Sequence, residues 1–209
     1  MKRLACAAGL ALAMHLLAGL AMLFILRRGL ETNADLADRL HFIASHRASW
    51  TAAWLCWTAA GPTILFFYWC LSRAHDLRAP WNRAALLTIP AIALDWSAQR
   101  IEISTLPPLA AARDSTLFLV MHRLAVLLTG GAANALYTAA ALLLVIGTRN
   151  EYRKEIVGAG YGVAAFGLCL SAAAAAGSAS GMFWANAGLV PCLLVWLAGI
   201  GLTAWRRAG

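Results

Sequence analysis

Asp95, Gln99 and Glu102 are the residues of this sequence whose types and spacing most directly suggest chemistry. They follow a run without charge, residues 84–94. Positions i, i+4 and i+7 of a helix share one face, and at 1.5 Å per residue they would lie roughly 16, 22 and 27 Å into a bilayer. Since a carboxylate in hydrocarbon costs about 3 kcal/mol or more, we expect this face to point inward as a polar track from the outer side of a membrane.

Five further residues have a matching depth on other apolar segments. His15 is at the middle of the first segment, and Asn134 and Tyr137 are one turn apart on a later one. Trp54 and Trp57 descend from the outer end of the second segment. Aromatic walls beside a few polar groups are typical of small-molecule sites, so we expect these five residues and the polar track to line one pocket.

Simpler interpretations exist for each feature. Asp95 would lie near the outer headgroups if its helix sat lower in the membrane. His15 would be a neutral histidine bonded to a neighbouring helix, and the tryptophans would be ordinary packing residues. The shared depth and side of the features favour the pocket.

The pattern predicts an integral membrane protein of transport or solute-binding type with an outward-facing polar pocket. Asp95 would be the ion-responsive or proton-responsive group, with His15 and Asn134 as its neighbours. Intramembrane acids often serve as relay or cation sites. Two alternatives stay open: an enzyme acting on a lipid or isoprenoid substrate, with Asp95 and Glu102 as acid and base, and a non-catalytic subunit of a larger membrane complex.

Composition places the pocket in a membrane. The chain has 209 residues, of which 62% are hydrophobic and 12% charged, and its mean hydropathy is +0.70. A water-soluble domain would carry about twice that charge. Segments of 17 or more largely apolar residues can cross a bilayer, and the sequence has six. We therefore predict an all-α, polytopic membrane protein, a single domain over 1–209 whose six-transmembrane-helix bundle comprises about 4–26, 49–72, 82–104, 124–147, 157–177 and 184–205.

The charges predict the orientation. If the six segments span, ten of the 17 Lys and Arg residues lie on the side of the N-terminus, and most of the nine acids lie on the other. Basic residues favour the cytoplasmic side, so both termini are expected in the cytoplasm. The preference for arginine over lysine suggests a bacterial genome and therefore the inner membrane.

Two long outer connections, 27–48 and 105–123, are expected to form amphipathic segments. TNAD at 32–35 is a helix-start signal, followed by an apolar stripe at Leu36, Leu40 and Ile43. In the second connection, Pro107 and Pro108 should end the preceding helix. A continuous helix over 115–147 would span about 50 Å, so a break near Gly130 and Gly131 or a strong tilt is expected. With a break, 109–128 would be an interfacial or re-entrant helix. Gly158 and Gly162 have GxxxG spacing for close helix packing.

No cofactor, haem or metal site is predicted. The five cysteines contain no CxxC pair. His41, His46 and His122 share the outer side with Asp38, but their spacing is not a recognised ligand pattern. The net charge of +8 sits at helix ends, which argues against nucleic acid. The expected partners are the lipid bilayer, a small molecule or ion, and, for the accessory-subunit alternative, another membrane protein.

Overall fold

The chain folds entirely into helices. The computed structural model describes residues 1–209, is 88% helical and contains no strand. Two π-helical segments, Ile101–Thr105 and Leu127–Ala133, and a short 3-10 turn, Leu26–Arg28, extend the α-helices. The α-helices are α1 (Lys2–Phe24), α2 (Leu36–Ser45), α3 (Arg47–Ala74), α4 (Arg78–Arg100), α5 (Leu106–Ala112), α6 (Ser115–Val126), α7 (Asn134–Thr148), α8 (Lys154–Ala176) and α9 (Ala179–Arg206).

Five helices are long and apolar enough to cross a membrane. They comprise Lys2–Arg28, Arg47–Ala74, Ser115–Thr148, Lys154–Ala176 and Ala179–Arg206, and they match five of the six predicted spans. The predicted span 82–104 is helical, but Asp95, Gln99 and Arg100 lower its hydropathy, and it is not among the five.

The six long helices form a closed ring. Contacts run from α1 to α3, α4, α7, α8, α9 and back to α1. Because consecutive long helices are antiparallel, both chain termini lie at one end of the bundle, here called the terminal end. The opposite end carries α2 and α5 and is called the loop end.

A cluster of five buried residues around Leu170 joins α6, α8 and α9, and two larger apolar cores hold the two ends of the ring together. The larger one fills the terminal end around Phe67, Tyr68 and Trp196, where the Phe67 and Trp196 rings meet edge to face at 5.5 Å. The smaller one, around Ile43 and Trp50, packs α2 and α5 onto the loop end. Small residues such as the alanines of α1 allow the close packing that drives helix association in lipid. The space between the two cores is therefore available for a ligand site.

The predicted start of α2 is confirmed. Asp35 caps the helix, and its carboxylate accepts hydrogen bonds from the backbone N–H groups of Ala37 and Asp38 at 2.9 and 3.1 Å. Leu40 and Ile43 are buried, as expected for one apolar face.

Pro107 and Pro108 do not end the preceding helix, so that prediction was wrong. They occupy the first turn of α5, where a missing N–H is tolerated. The wider π turn before them leaves the Glu102 carbonyl free, and Trp50 Nε1 donates to it at 2.8 Å. The helix ends only at Arg113, whose φ is +56°.

The expected break at Gly130 and Gly131 is absent as well. The glycines lie inside the π segment Leu127–Ala133, and the helix runs without interruption from Ser115 to Thr148. Residues 115–128 are therefore the first part of a long helix and not a separate interfacial one. A π turn absorbs the irregularity without breaking the chain of backbone hydrogen bonds.

Only one glycine of the GxxxG pair on α8 packs closely, since a Cβ at Gly162 would meet Cys192 Sγ at 2.6 Å. Gly158 faces open space, whereas a Cβ at Gly160 would meet Val145 Cγ2 at 2.5 Å and Trp196 Nε1 at 3.1 Å. We expect Gly160→Ala to destabilise the protein by about 1–3 kcal/mol through overpacking. Gly158→Ala should be neutral or stabilising by up to about 1 kcal/mol. Thermal unfolding in mild detergent measures both, and equal effects would contradict the packing described.

Candidate functional site

A cavity of about 970 Å³ lies between the two cores and opens toward the loop end. This is at the upper end of the usual 300–1,000 Å³ for small-molecule sites. The structure brings all eight sequence-predicted site residues to its wall: His15, Trp54, Trp57, Asp95, Gln99, Glu102, Asn134 and Tyr137.

The polar track of α4 faces this cavity along its length. Asp95 and Gln99 lie on α4, and Glu102 follows in the π segment. Their exposed fractions are 8%, 2% and 1%. The acids therefore face the interior of the bundle and not its outer surface.

Asp95 has a partner that the sequence reasoning missed. Thr129 Oγ1 donates a hydrogen bond to Asp95 Oδ1, and Thr129 lies in the π segment of the facing helix. Asp95 forms no ion pair with any Lys, Arg or His. The available signal was a lone threonine beside a glycine pair in an apolar run, which spacing alone does not connect to a residue 34 positions earlier.

The predicted neighbours of Asp95 make other contacts. His15 Nδ1 is hydrogen-bonded to the Ala11 carbonyl on its own helix at 2.8 Å. Asn134 Nδ2 donates to the Gly167 carbonyl at 2.6 Å and to Ser171 Oγ at 2.9 Å, which ties α7 to α8. Both line the cavity, but neither is hydrogen-bonded to Asp95.

A buried charge cluster lies beside the cavity at the loop end. His122 Nε2 lies 3.0 Å from Glu31 Oε2 and 3.8 Å from Glu102 Oε1. Arg39 Nη2 contacts His122 Nδ1, and Arg39 Nε donates to the Gly29 carbonyl at 3.1 Å. Three distant parts of the chain, residues 29–39, Glu102 and His122, therefore meet at one point.

No spacing pattern in the sequence indicates that Arg39 and His122 are buried. Their exposed fractions are 6% and 2%, because α2 folds over the end of the bundle and carries Arg39 inside. His41 and His46 instead bond within α2, to Ser45 and to the Phe42 carbonyl. No group of three or more His, Cys, Asp or Glu residues is arranged to hold a metal ion.

Several buried polar atoms on the cavity wall lack a hydrogen-bond partner in the protein. Such atoms usually have partners, and each unsatisfied one costs about 1–3 kcal/mol. A wall with this many free donors and acceptors is suited to bind a ligand that has polar groups. The atoms are both amide atoms of Gln99, Glu102 Oε2, the Nε1 atoms of Trp54 and Trp57, and the hydroxyl oxygen of Tyr137.

Tyr137 reaches across the cavity to α3. A Cβ at Gly61 would come within 2.8 Å of the Tyr137 hydroxyl oxygen, so the glycine makes room for this group. Trp54 packs edge to face against Trp50 at 5.9 Å. Of the tryptophan stripe on α3, Trp50 and Trp54 belong to the loop-end core and Trp57 packs against it, while Trp54 and Trp57 also line the cavity.

Comparison of the chain with protein-family models, with curated proteins and with solved structures finds no match. The site must therefore be interpreted from its own geometry.

Glu31 generates a prediction about pH, because it lies outside the candidate spans. Burial acts to raise the pKa of its carboxyl, but the hydrogen bond and charge of His122 and the charge of Arg39 outweigh burial and hold that pKa below its ordinary value. A pKa lowered on folding adds stability above the unfolded value of 4.5, and this stability is lost as pH falls through the folded pKa.

We expect wild type to unfold at a higher temperature than Glu31→Gln at neutral pH, with the difference closing as pH falls from about 5 to 3. Glu155→Gln is the control, since its side chain is 57% exposed and should contribute little at any pH. Thermal unfolding across this pH range gives the measurement. A difference that stays constant or widens in acid would show that the Glu31 charge does not stabilise the fold.

Proposed function

We propose that this chain is an integral membrane protein of transport or solute-binding type, with an outward-facing pocket that binds a small molecule or ion. The observation that carries the proposal is the cavity of about 970 Å³ whose wall holds free, buried hydrogen-bonding atoms around an intramembrane acid. An apolar cavity with a few converging polar groups is the usual form of such a site.

In the proposed membrane arrangement, α4 is the sixth span. Its polar residues face the ring interior, so lipid contacts its apolar side at residues such as Leu86 and Ile89. The segments at the loop end lie on the outer face, and both termini are cytoplasmic because that side carries more basic residues. A bacterial inner membrane fits the arginine-rich composition.

The two ends of the bundle differ in a way that supports a pocket open on one side. The terminal-end core around Phe67 and Trp196 fills the ring below the cavity, whereas residues 27–34 border the cavity at the loop end. Binding of a solute requires no conformational change of the bundle. Transport would require the terminal-end core to open in a second conformation.

Within the pocket, each residue has a proposed role. Asp95 is the ion-responsive or proton-responsive group, at the depth where an acid must find a partner or water. Gln99 and Glu102 form the polar track toward the outer face. Trp54 and Trp57 form the apolar wall.

Asp95→Asn tests the pocket directly. This change removes the charge of the side chain and keeps its shape. We therefore expect the purified variant to remain folded and to carry less bound small molecule than wild type, by a factor of at least about ten. Mass spectrometry of organic extracts of both proteins gives the measurement, with Glu155→Gln as the control. Full retention by Asp95→Asn, or a wild type that carries no bound molecule, would contradict the proposal.

Cysteine labelling tests the orientation and the outward opening. In a variant whose five native cysteines are replaced by alanine, Thr32→Cys and Gln99→Cys should react with a membrane-impermeant thiol reagent added outside right-side-out vesicles. Glu151→Cys, exposed at the terminal end, should react only after the vesicles are opened. The reverse pattern would refute the orientation, and an unreactive Gln99→Cys would refute the opening.

A further inference from the structure

We infer that the ligand of this pocket is an organic cation with an apolar body, a statement that rests on the proposed function. Three independent features of the cavity support this ligand class: the balance of charge on its wall, the aromatic rings beside the acid, and the side on which it reaches the bundle surface.

The deep part of the cavity lacks a positive charge to balance Asp95. Glu31 and Glu102 share His122 and Arg39 at the loop end, and Arg28 pairs with Asp38 at 3.3 Å. Arg27 borders only the exposed rim. His15 is hydrogen-bonded to the Ala11 carbonyl of its own helix and forms no ion pair with Asp95. A positively charged ligand group would supply the countercharge that a buried carboxylate requires.

Aromatic rings surround the same space. Trp54, Trp57, Tyr68 and Tyr137 all line the cavity. The face of an indole or phenol ring attracts a cation, with an energy of about 0.5–2 kcal/mol. An anion would meet both the negative ring faces and the carboxylates, so the wall discriminates by the sign of the charge.

On the side of α1 and α9, the cavity is bordered by residues that are also exposed on the surface of the bundle. Leu23 and Phe183 border it and are 50% and 52% exposed, and both belong to candidate membrane spans. Deeper along the same pair the helices close, since a Cβ at Gly201 would lie 3.2 Å from Ala8 Cβ. An apolar opening within spanning segments suits a ligand whose body dissolves in lipid and enters sideways.

The unpartnered polar atoms of Gln99 and Glu102 can form further hydrogen bonds with the ligand. A cationic head group at Asp95 would lie one turn below Gln99 and two turns below Glu102 on the same face. A hydroxyl or carbonyl group on the ligand would find donors and acceptors there.

Tetraphenylphosphonium and tetraphenylborate test the sign of the charge, because they have the same shape and opposite charge. The protein is placed in nanodiscs of phosphatidylcholine, and equilibrium dialysis measures the binding of each probe in excess of empty nanodiscs. We expect the cation to bind with at least about tenfold higher affinity than the anion. Asp95→Asn should weaken cation binding by about tenfold, and Glu155→Gln should leave it unchanged.

Trp57→Leu keeps the inference testable if Asp95→Asn does not fold. It removes one aromatic face and keeps an apolar side chain, and we expect up to about tenfold weaker cation binding with little change for the anion. Equal binding of both probes, stronger binding of the anion, or cation binding that Asp95→Asn and Trp57→Leu leave unchanged would overturn the inference.

The two proposals fail separately. If wild type carries an Asp95-dependent bound molecule but shows no preference for tetraphenylphosphonium, the pocket stands and the cationic ligand class is wrong. If wild type carries no bound molecule and neither probe binds above empty nanodiscs, both the pocket and the ligand class are wrong.

Discussion

Carboxylates inside an apolar bundle need partners, and the way this chain supplies them determines how its loop end is built. Glu102 is 1% exposed, and leaving such a charge unpaired costs several kcal/mol. His122 lies between Glu102 and Glu31, and Arg39 contacts the other nitrogen of its ring. The connection that carries Glu31 cannot leave the bundle without uncovering this carboxylate pair. The ion pairs of Glu31 and the apolar packing of Ile43 therefore hold the same part of the chain, residues 31–43, against the bundle.

The two π segments border the cavity from facing helices. One carries Glu102 and the other carries Thr129, the donor to Asp95. A π turn changes the bonding of backbone carbonyls and is frequent at functional sites. Here Trp50 donates to the carbonyl of Glu102, so the irregular backbone is stabilised by a side chain of the loop-end core.

The distribution of apolar packing explains why a cavity remains between the two cores. Around Trp196 and Leu144, small residues of neighbouring helices let large side chains meet without gaps. Farther along the ring, α4 presents Asp95 and Gln99 where an apolar core would need leucine or valine. Asp95 is hydrogen-bonded to Thr129 and both amide atoms of Gln99 lack a partner in the protein, so polar groups and not apolar side chains line the space between the cores.

Much of the fold follows from local patterns in the sequence. Apolar length sets the five candidate spans, the TNAD signal sets the start of α2, and the i, i+4, i+7 spacing puts Asp95, Gln99 and Glu102 on one face. Helical periodicity is a short-range property, which makes it readable from the chain. Matching depth on neighbouring spans was enough to gather the eight candidate residues around one cavity, although their role there stays a prediction.

What the sequence by itself determined is the set of apolar helices and the polar face of α4, because each depends on residues within a few turns of one another. Only the tertiary structure decided which charges pair, since Glu31, Arg39, Glu102 and His122 come from segments that no spacing rule connects. The tertiary structure likewise decided that Pro107 and Gly130 do not break their helices. Their local tendency to break a helix is outweighed when π turns and contacts from other helices satisfy the backbone groups that they disturb.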